Sequence, residues 1–147
     1  MSDEHVDFET AQRLWITLSS IVLDNERRQA LAEELGMSFA RIRALRRIAR
    51  GPLSMGELAV VAGIDPPYAT VVVDDLQARG LVVRRDHPED RRAKIVVATE
   101  QGLDVAARAE QILDTPPAGL VALSGDELVE LERILVKVKA PLDEPRL

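Results

Sequence analysis

Five arginines fall within ten residues of this chain, at Arg41, Arg43, Arg46, Arg47 and Arg50. A second basic group, Arg84, Arg85, Arg91, Arg92 and Lys94, follows with Asp86, Glu89 and Asp90 interleaved. A guanidinium is planar, always charged, and carries a fork of donors that matches phosphate oxygens. Clusters of this kind therefore point to a polyanion. The competing account is a merely solvated charged face, although arginines with no acidic residues among them gain nothing from i,i+4 pairing. The overall charge of −6 argues against a nucleic-acid partner until it is divided along the chain. From Arg41 to Lys94 there are 11 basic and 7 acidic residues, whereas the rest holds 8 basic and 18 acidic. Only the middle is fitted to meet a polyanion.

Other chemistry is poorly supported. There is no cysteine, which removes a disulfide scaffold, a thiolate zinc site and a thiol switch together. His87 with Glu89 and Asp90, or His5 with Asp3 and Glu4, would make a thin metal-ligand set on polar segments, and no metal is expected. No glycine-rich phosphate loop, nucleophile elbow or histidine dyad suggests an enzyme, and no cofactor is expected. The opening MSDEHVDFET is acidic and lacks the apolar segment of a secretion signal. No apolar run approaches membrane-spanning length. A cytoplasmic protein with no membrane partner is the expectation.

The elements that must position these groups are punctuated clearly. With 147 residues, 46% apolar and only four aromatic residues, the chain suits one domain with an aliphatic core. From about Asp7 to Leu35, Phe8, Ala11, Leu14, Trp15, Leu18, Ile21 and Val22 recur at helical spacing, and Gly36 can end the segment. Its apolar stripe, widened by Ile16 and Leu23, is broader than one packing partner needs. Ser38 can cap a second helix that turns Ile42, Leu45 and Ile48 to one side. Ser54 and Glu57 form a capping box for a short helix that Gly63 can stop.

The stretch IDPPYATVVVDDLQAR then restarts the chain at once. Asp65 is a good cap and proline is tolerated in a first turn. Pro67 disfavours helical geometry at Pro66, however, so a start one residue later is also open. Ala69, Val72, Val73 and Leu76 fall at i, i+3, i+4 and i+7 as the buried face. Two short helices joined by a tight glycine turn make a helix-turn-helix. Two β-rich runs, Leu81–Arg85 and Ala93–Ala98, flank a charged turn and read as a hairpin. Thr99 can cap a helix to about Leu113, Pro116-Pro117 breaks it, and Ser124 with Glu127 opens a last apolar helix.

In order and spacing these elements resemble the MarR-type (multiple antibiotic resistance regulator) winged-helix transcription factors over nearly the whole chain. GPLSMGELAVVAGIDPPYATVVVDDLQARGLVVRRDHPEDRRAKIVVATEQG carries the resemblance. Within it, DDLQARGLVVRRDHPEDRR and the strand exit Thr99-Glu100-Gln101-Gly102 are the most specific part. The resemblance implies a mainly α fold with a small β-hairpin, a single domain over residues 1–147. Its winged helix-turn-helix would occupy about 38–98 and its N- and C-terminal dimerisation helices about 7–36 and 99–140. It also implies a homodimer that reads a pseudo-palindromic operator in double-stranded DNA.

By the same resemblance, the second helix of the motif enters the major groove. The wing reaches the minor groove through an arginine braced by an aspartate two residues earlier, here Asp90-Arg91-Arg92. Arg84, Arg85, Arg91 and Lys94 would neutralise phosphates. On the helix itself the outward residues are Pro67, Thr70, Val71 and Asp74, with Tyr68 in the first turn. The family often has arginine, which would bind guanine bidentately, where this chain has Val71. Valine and proline can touch only apolar groups such as thymine methyls, so the expectation is that DNA is read by shape, through the wing. Ser54 completes the candidate DNA-contacting set.

Many family members release DNA when a small aromatic or phenolic effector wedges beside the dimerisation helices. Trp15, Leu18, Ser19, Phe39 and Ile42 would line that place, the alternative being that Trp15 is core. The implied function is a sequence-specific DNA-binding transcriptional regulator, a repressor relieved by a small aromatic ligand. The competing reading is a winged-helix ligand-binding or protein-interaction module with weak or lost DNA specificity.

Overall fold

Capping side chains and aliphatic periods set the elements of the protein, whose structure, a computed structural model, describes residues 2–23 and 25–143. Its helices are α1 (Ser2–Val22), α2 (Asn25–Leu35), α3 (Phe39–Ala49), α4 (Met55–Ala62), α5 (Pro66–Ala78), α6 (Glu100–Asp114), α7 (Ala118–Val121) and α8 (Gly125–Asp143). Its strands are β1 (Leu53–Ser54), β2 (Val82–Asp86) and β3 (Lys94–Ala98). They fall into two compact units divided between Leu113 and Asp114. The side chains of Asp3, Glu4 and His5 lie outside the described set.

In the first unit, Ser38 Oγ accepts from the Arg41 N–H, Ser54 Oγ from Glu57 and Asp65 Oδ1 from Tyr68, each relieving one orphan donor of a helix start. The Asp65 bond, at 2.7 Å, decides where α5 begins. Pro66 and Pro67 then occupy its first two positions, where an N–H would lack a partner anyway. The later start left open by the sequence is not taken. Gly63, at φ +66°, turns the chain between α4 and α5 through a bend of 102°, within the range of a helix-turn-helix.

Ala69, Val72, Val73 and Leu76 on α5 are fully buried, as the spacing requires. Val72, Val73 and Leu76 join Ile42, Leu45 and Ile48 of α3, Leu58 of α4, Leu81 before the sheet, Val82 and Val96 within it, and Ala106 and Ala109 of α6 in one aliphatic core.

The structure departs from the sequence reading in three places. The segment read as one helix from Asp7 to Leu35 is two, α1 and α2, parted after Val22. Asp24-Asn25 supplies the signal, since both residue types favour caps over helix interiors. The sheet has three strands in the order β1-β3-β2, all antiparallel, because Leu53 and Ser54 pair with Val96 and Ile95. A two-residue strand offers no period to read. In the second unit, α7 forms a single turn between the proline pair and α8. Ser124 and Glu127 close the expected capping box reciprocally at 3.0 and 3.2 Å.

The arginines of α3 are largely internal ties. Arg46 grips Glu110 of α6 with two bonds of 2.9 Å, and Arg50 stands 3.8 Å from the same carboxylate. Arg41 donates to Asp75 of α5 at 2.7 Å, and Arg79 donates to the same oxygen at 2.8 Å. Arg43 donates to the Ala62 carbonyl at the end of α4 and, with Arg28, lies over the Phe39 ring. The acidic partners missing from the local sequence come from helices 34 and 64 residues away.

Two predictions follow from these contacts. A β-carbon on buried Gly102 would lie 1.9 Å from the Leu81 carbonyl oxygen, whereas one on Gly56 meets nothing within 4 Å. Gly102→Ala should destabilise the protein by about 2 kcal/mol or more through overpacking. Gly56→Ala should leave it unchanged or slightly stabilised, by at most about 1 kcal/mol. Urea denaturation read by circular dichroism distinguishes the two.

The second prediction concerns acid. The hydrogen bond from Arg46 holds the Glu110 carboxyl below its ordinary value of 4.5, against opposing desolvation. A carboxylate with a lowered folded pKa stabilises fully above its unfolded value and loses that contribution as pH falls through the folded one. The wild-type urea midpoint should therefore fall as pH drops below about 4.5, and Arg46→Ala should flatten that slope. Parallel pH profiles in both proteins would refute the assignment.

Candidate nucleic-acid interface

The outward side of α5 follows from its buried side. With Ala69, Val72, Val73 and Leu76 inward, the 3.6-residue period turns Pro67, Val71, Asp74 and Ala78 outward, and all four are exposed. Thr70 and Tyr68 flank this stripe near its start, Tyr68 at 37% exposure and Val71 at 51%. Thr70 Oγ1 donates to the Pro66 carbonyl at 3.3 Å, which leaves its methyl and lone pairs outward. Ser54 is half-buried, and its hydroxyl oxygen accepts from the α4 backbone as the N-cap.

The polar groups at the far end of the stripe are held by the sheet. Arg84, on β2, donates to Asp74 Oδ1 at 2.6 Å and to Gln77 Oε1 at 2.7 Å. Arg84 was expected to meet phosphate. In the structure its guanidinium bridges β2 to α5, half-buried, and it cancels the one carboxylate on the outward stripe.

Beyond Arg84 the hairpin extends into solvent. Val82, Val83 and Arg84 pair with Ala98, Val97 and Val96, and the ladder ends with Asp86 opposite Lys94. The side chains of that last pair form an ion pair, so Lys94 also has a protein partner. The tip folds on itself: His87 N–H donates to the Ala93 carbonyl, Glu89 N–H to His87 Nδ1, and Arg92 N–H to Asp90 Oδ1 at 2.9 Å. The aspartate two residues before Arg92 thus braces its backbone, where the resemblance implied a brace on the guanidinium. Arg85, Arg91 and Arg92 are exposed and make no ion pair among the described residues. These three cations are what the hairpin presents to an anion.

The expected ligand lining is spread over separate environments. Trp15 on α1 is 68% exposed, with Leu18 and Ser19 half-buried nearby on the same helix. Phe39 is half-buried under two guanidiniums, and Ile42 is fully buried in the core. Among the described residues no group of histidine, cysteine or acidic side chains is placed to hold a metal, and no single helix is long and apolar enough to cross a membrane.

Sequence reasoning missed the Arg84 bridge. Its signal was the spacing of Asp74 and Gln77, three residues apart on one helix face, followed by an arginine just past the helix end.

Comparison with known proteins agrees with this geometry. Residues 35–93, the helix-turn-helix and most of the hairpin, match the sequence profile of the MarR family. The apo form of wild-type MarR from E. coli is 25% identical, covering 83% of this chain and 94% of its own, with a TM-score of 0.66. The transcriptional regulator BldR from Sulfolobus solfataricus is 28% identical over 93% of this chain and 98% of its own, at 0.60. MepR, a transcription regulator of the Staphylococcus aureus multidrug efflux pump MepA, reaches 0.73 at 18% identity over 90% of this chain and 98% of its own, a likeness of fold. The chain thus resembles the MarR family in sequence over its winged segment, residues 35–93, and MarR-type winged-helix regulators in the order and arrangement of its elements.

Proposed function

We propose that the protein is a homodimeric, sequence-specific DNA-binding transcriptional regulator, a repressor whose hold on its operator is relieved by a small aromatic or phenolic ligand. The observation that carries the DNA reading is the hairpin tip, where Arg85, Arg91 and Arg92 stand exposed without ion pairs among the described residues. Guanidiniums on a narrow projecting ribbon suit a minor groove of negative potential, while α5 lies in the adjacent major groove. Arg84 supports this by neutralising Asp74, which would otherwise face phosphate with its own negative charge.

Dimerisation is supported by apolar surface that each unit leaves bare. On α1, Phe8, Leu14, Trp15, Ile16 and Val22 are all more than half exposed. On α8, Val129, Val136 and Val138 are likewise. Exposed apolar surface of this extent is characteristic of a protein–protein interface.

The apolar outward stripe of α5 also favours a second reading, a winged-helix interaction module with weak DNA specificity. An anisotropy titration with DNA from the region upstream of the protein's own gene separates the two. Repression requires tight binding to one duplex, a steep fall in affinity with salt through counterion release, and weak binding to its scrambled version. Arg92→Ala should weaken binding by about tenfold or more, uniformly across sequences, and reduce the salt slope. Val71→Ala should cost less. Equal affinity for both duplexes with no salt dependence would reject the DNA reading.

Trp15 is the only tryptophan in the chain, so its fluorescence reports on the ligand. Phenols and aromatic acids that quench it should also lower operator affinity, by about tenfold at saturation, which is within the usual range of allosteric coupling. Quenching with unchanged operator affinity would remove the relief step.

A further inference from the structure

The DNA reading leaves open what α5 recognises, and the Arg84 bridge narrows the answer. Each base pair shows the major groove a distinct edge, and each edge needs a particular partner. Guanine is read by arginine or lysine, and the outward stripe of α5 carries neither. Adenine is read by the paired oxygen and nitrogen of a side-chain amide, but Gln77 Oε1 already accepts from Arg84 at 2.7 Å. Cytosine is read by a carboxylate, but Asp74 Oδ1 accepts from the same guanidinium at 2.6 Å.

What remains outward is the ring of Pro67, the isopropyl group of Val71, the methyl of Thr70 and the exposed part of Tyr68. Pro67 and Val71 lie one turn apart and reach the groove together. The one base edge whose distinguishing group is apolar is that of thymine, through its C5-methyl.

We infer that α5 selects its operator through thymine methyl groups met by Val71 and Pro67, with Arg84 as the positioning residue that keeps Asp74 and Gln77 off the bases. This rests on the DNA reading above and adds its chemical class of target. The occupant is duplex DNA because the same winged unit presents Arg85, Arg91 and Arg92 for phosphate, a charge complement that an apolar protein partner would not need. Val71 takes no part in the core, so replacing it tests recognition without testing folding.

The experiment begins with selection of binding duplexes from a random-sequence pool by the full chain. Thymines of the selected half-site are then replaced by deoxyuridine one at a time, which removes only the methyl. At one or two positions per half-site, affinity should fall about fourfold, the effect of withdrawing one methyl from an apolar contact. In Val71→Ala that penalty should vanish at one of those positions. In Arg84→Ala, freed Asp74 and Gln77 should bring cytosine or adenine into the selected consensus, a change of preference that a loosened fold would not produce.

Uracil tolerated at every position, while scrambled DNA still binds far more weakly, would overturn methyl readout and leave DNA binding standing. Salt-dependent binding with no consensus would do the same. A uracil penalty that persists at all positions in Val71→Ala would overturn the assignment to that residue. Binding that neither selects a consensus nor responds to salt would reject the DNA reading and the inference with it.

Discussion

The winged unit turns on one backbone carbonyl, that of Leu81. Its oxygen accepts from the Thr99 N–H at 3.0 Å and packs against Gly102, where a β-carbon would lie at 1.9 Å. Leu81 N–H in turn donates to the Leu76 carbonyl, the last buried turn of α5. Thr99 Oγ1 donates to the Gly80 carbonyl and accepts from the Gly102 N–H. The end of α5, both feet of the hairpin and the start of α6 are thereby tied within a few residues. Gly80, at φ +75°, makes the reversal that lets the chain enter this knot. How the hairpin is aimed relative to α5 depends on that small group of bonds, together with the Arg84 bridge, the pairing of β1 with β3 and the burial of Val82 and Val96.

Around this anchor the basic residues divide by partner. Most of those on α3 and at the end of α5 are engaged inside the unit: Arg41 and Arg79 share Asp75, Arg46 and Arg50 share Glu110, and Arg43 caps α4, while Arg47 is exposed with no ion pair among the described residues. These pairs are a quarter to two-thirds exposed, so each adds modestly to stability. Their larger effect is geometric, because a planar fork gripping one carboxylate fixes α3 against α5 and α6 in a single orientation. Among the described residues Arg85, Arg91 and Arg92 of the hairpin have no such partner, and their charge is available to something else. Counting basic residues would rank α3 first as a DNA surface. Following each guanidinium to its acceptor reverses that order.

What the sequence made legible has a physical pattern. Helix starts were readable because Ser38, Ser54, Asp65 and Ser124 act on N–H groups only three residues away. The buried face of α5 was readable because Val72, Val73 and Leu76 obey one local period. The α1–α2 break was harder, since the apolar period continues through it and only Asp24-Asn25 interrupts. The partners of Arg41, Arg46 and Arg84 were not readable, because they join residues brought together by the fold. The third strand was hidden for the same reason: Leu53 and Ser54 are strand only because Val96 and Ile95 lie beside them. The candidate residues of α5 and the hairpin were thus readable as positions, while the partners they take in the fold depended on contacts that no local rule contains.

The division of tasks has a consequence for recognition. Phosphate contacts hold a protein on DNA without distinguishing sequence, and the distinction must come from groups that meet base edges. Among the described residues the hairpin presents three exposed arginines without ion pairs, Arg85, Arg91 and Arg92, and the outward stripe of α5 has its one acid paired with Arg84. On the proposed DNA reading, attraction and discrimination would be carried by different elements, tied together through Leu81 and Arg84. A stripe with an arginine in place of Val71 would combine both on one helix and bind random DNA more strongly through that added charge. An apolar stripe adds nothing to random binding, so any contact it makes with a methyl contributes wholly to preference. Arg84 completes this arrangement by engaging Asp74 and Gln77, and its position just beyond the Leu81 anchor is what places its guanidinium within reach of both.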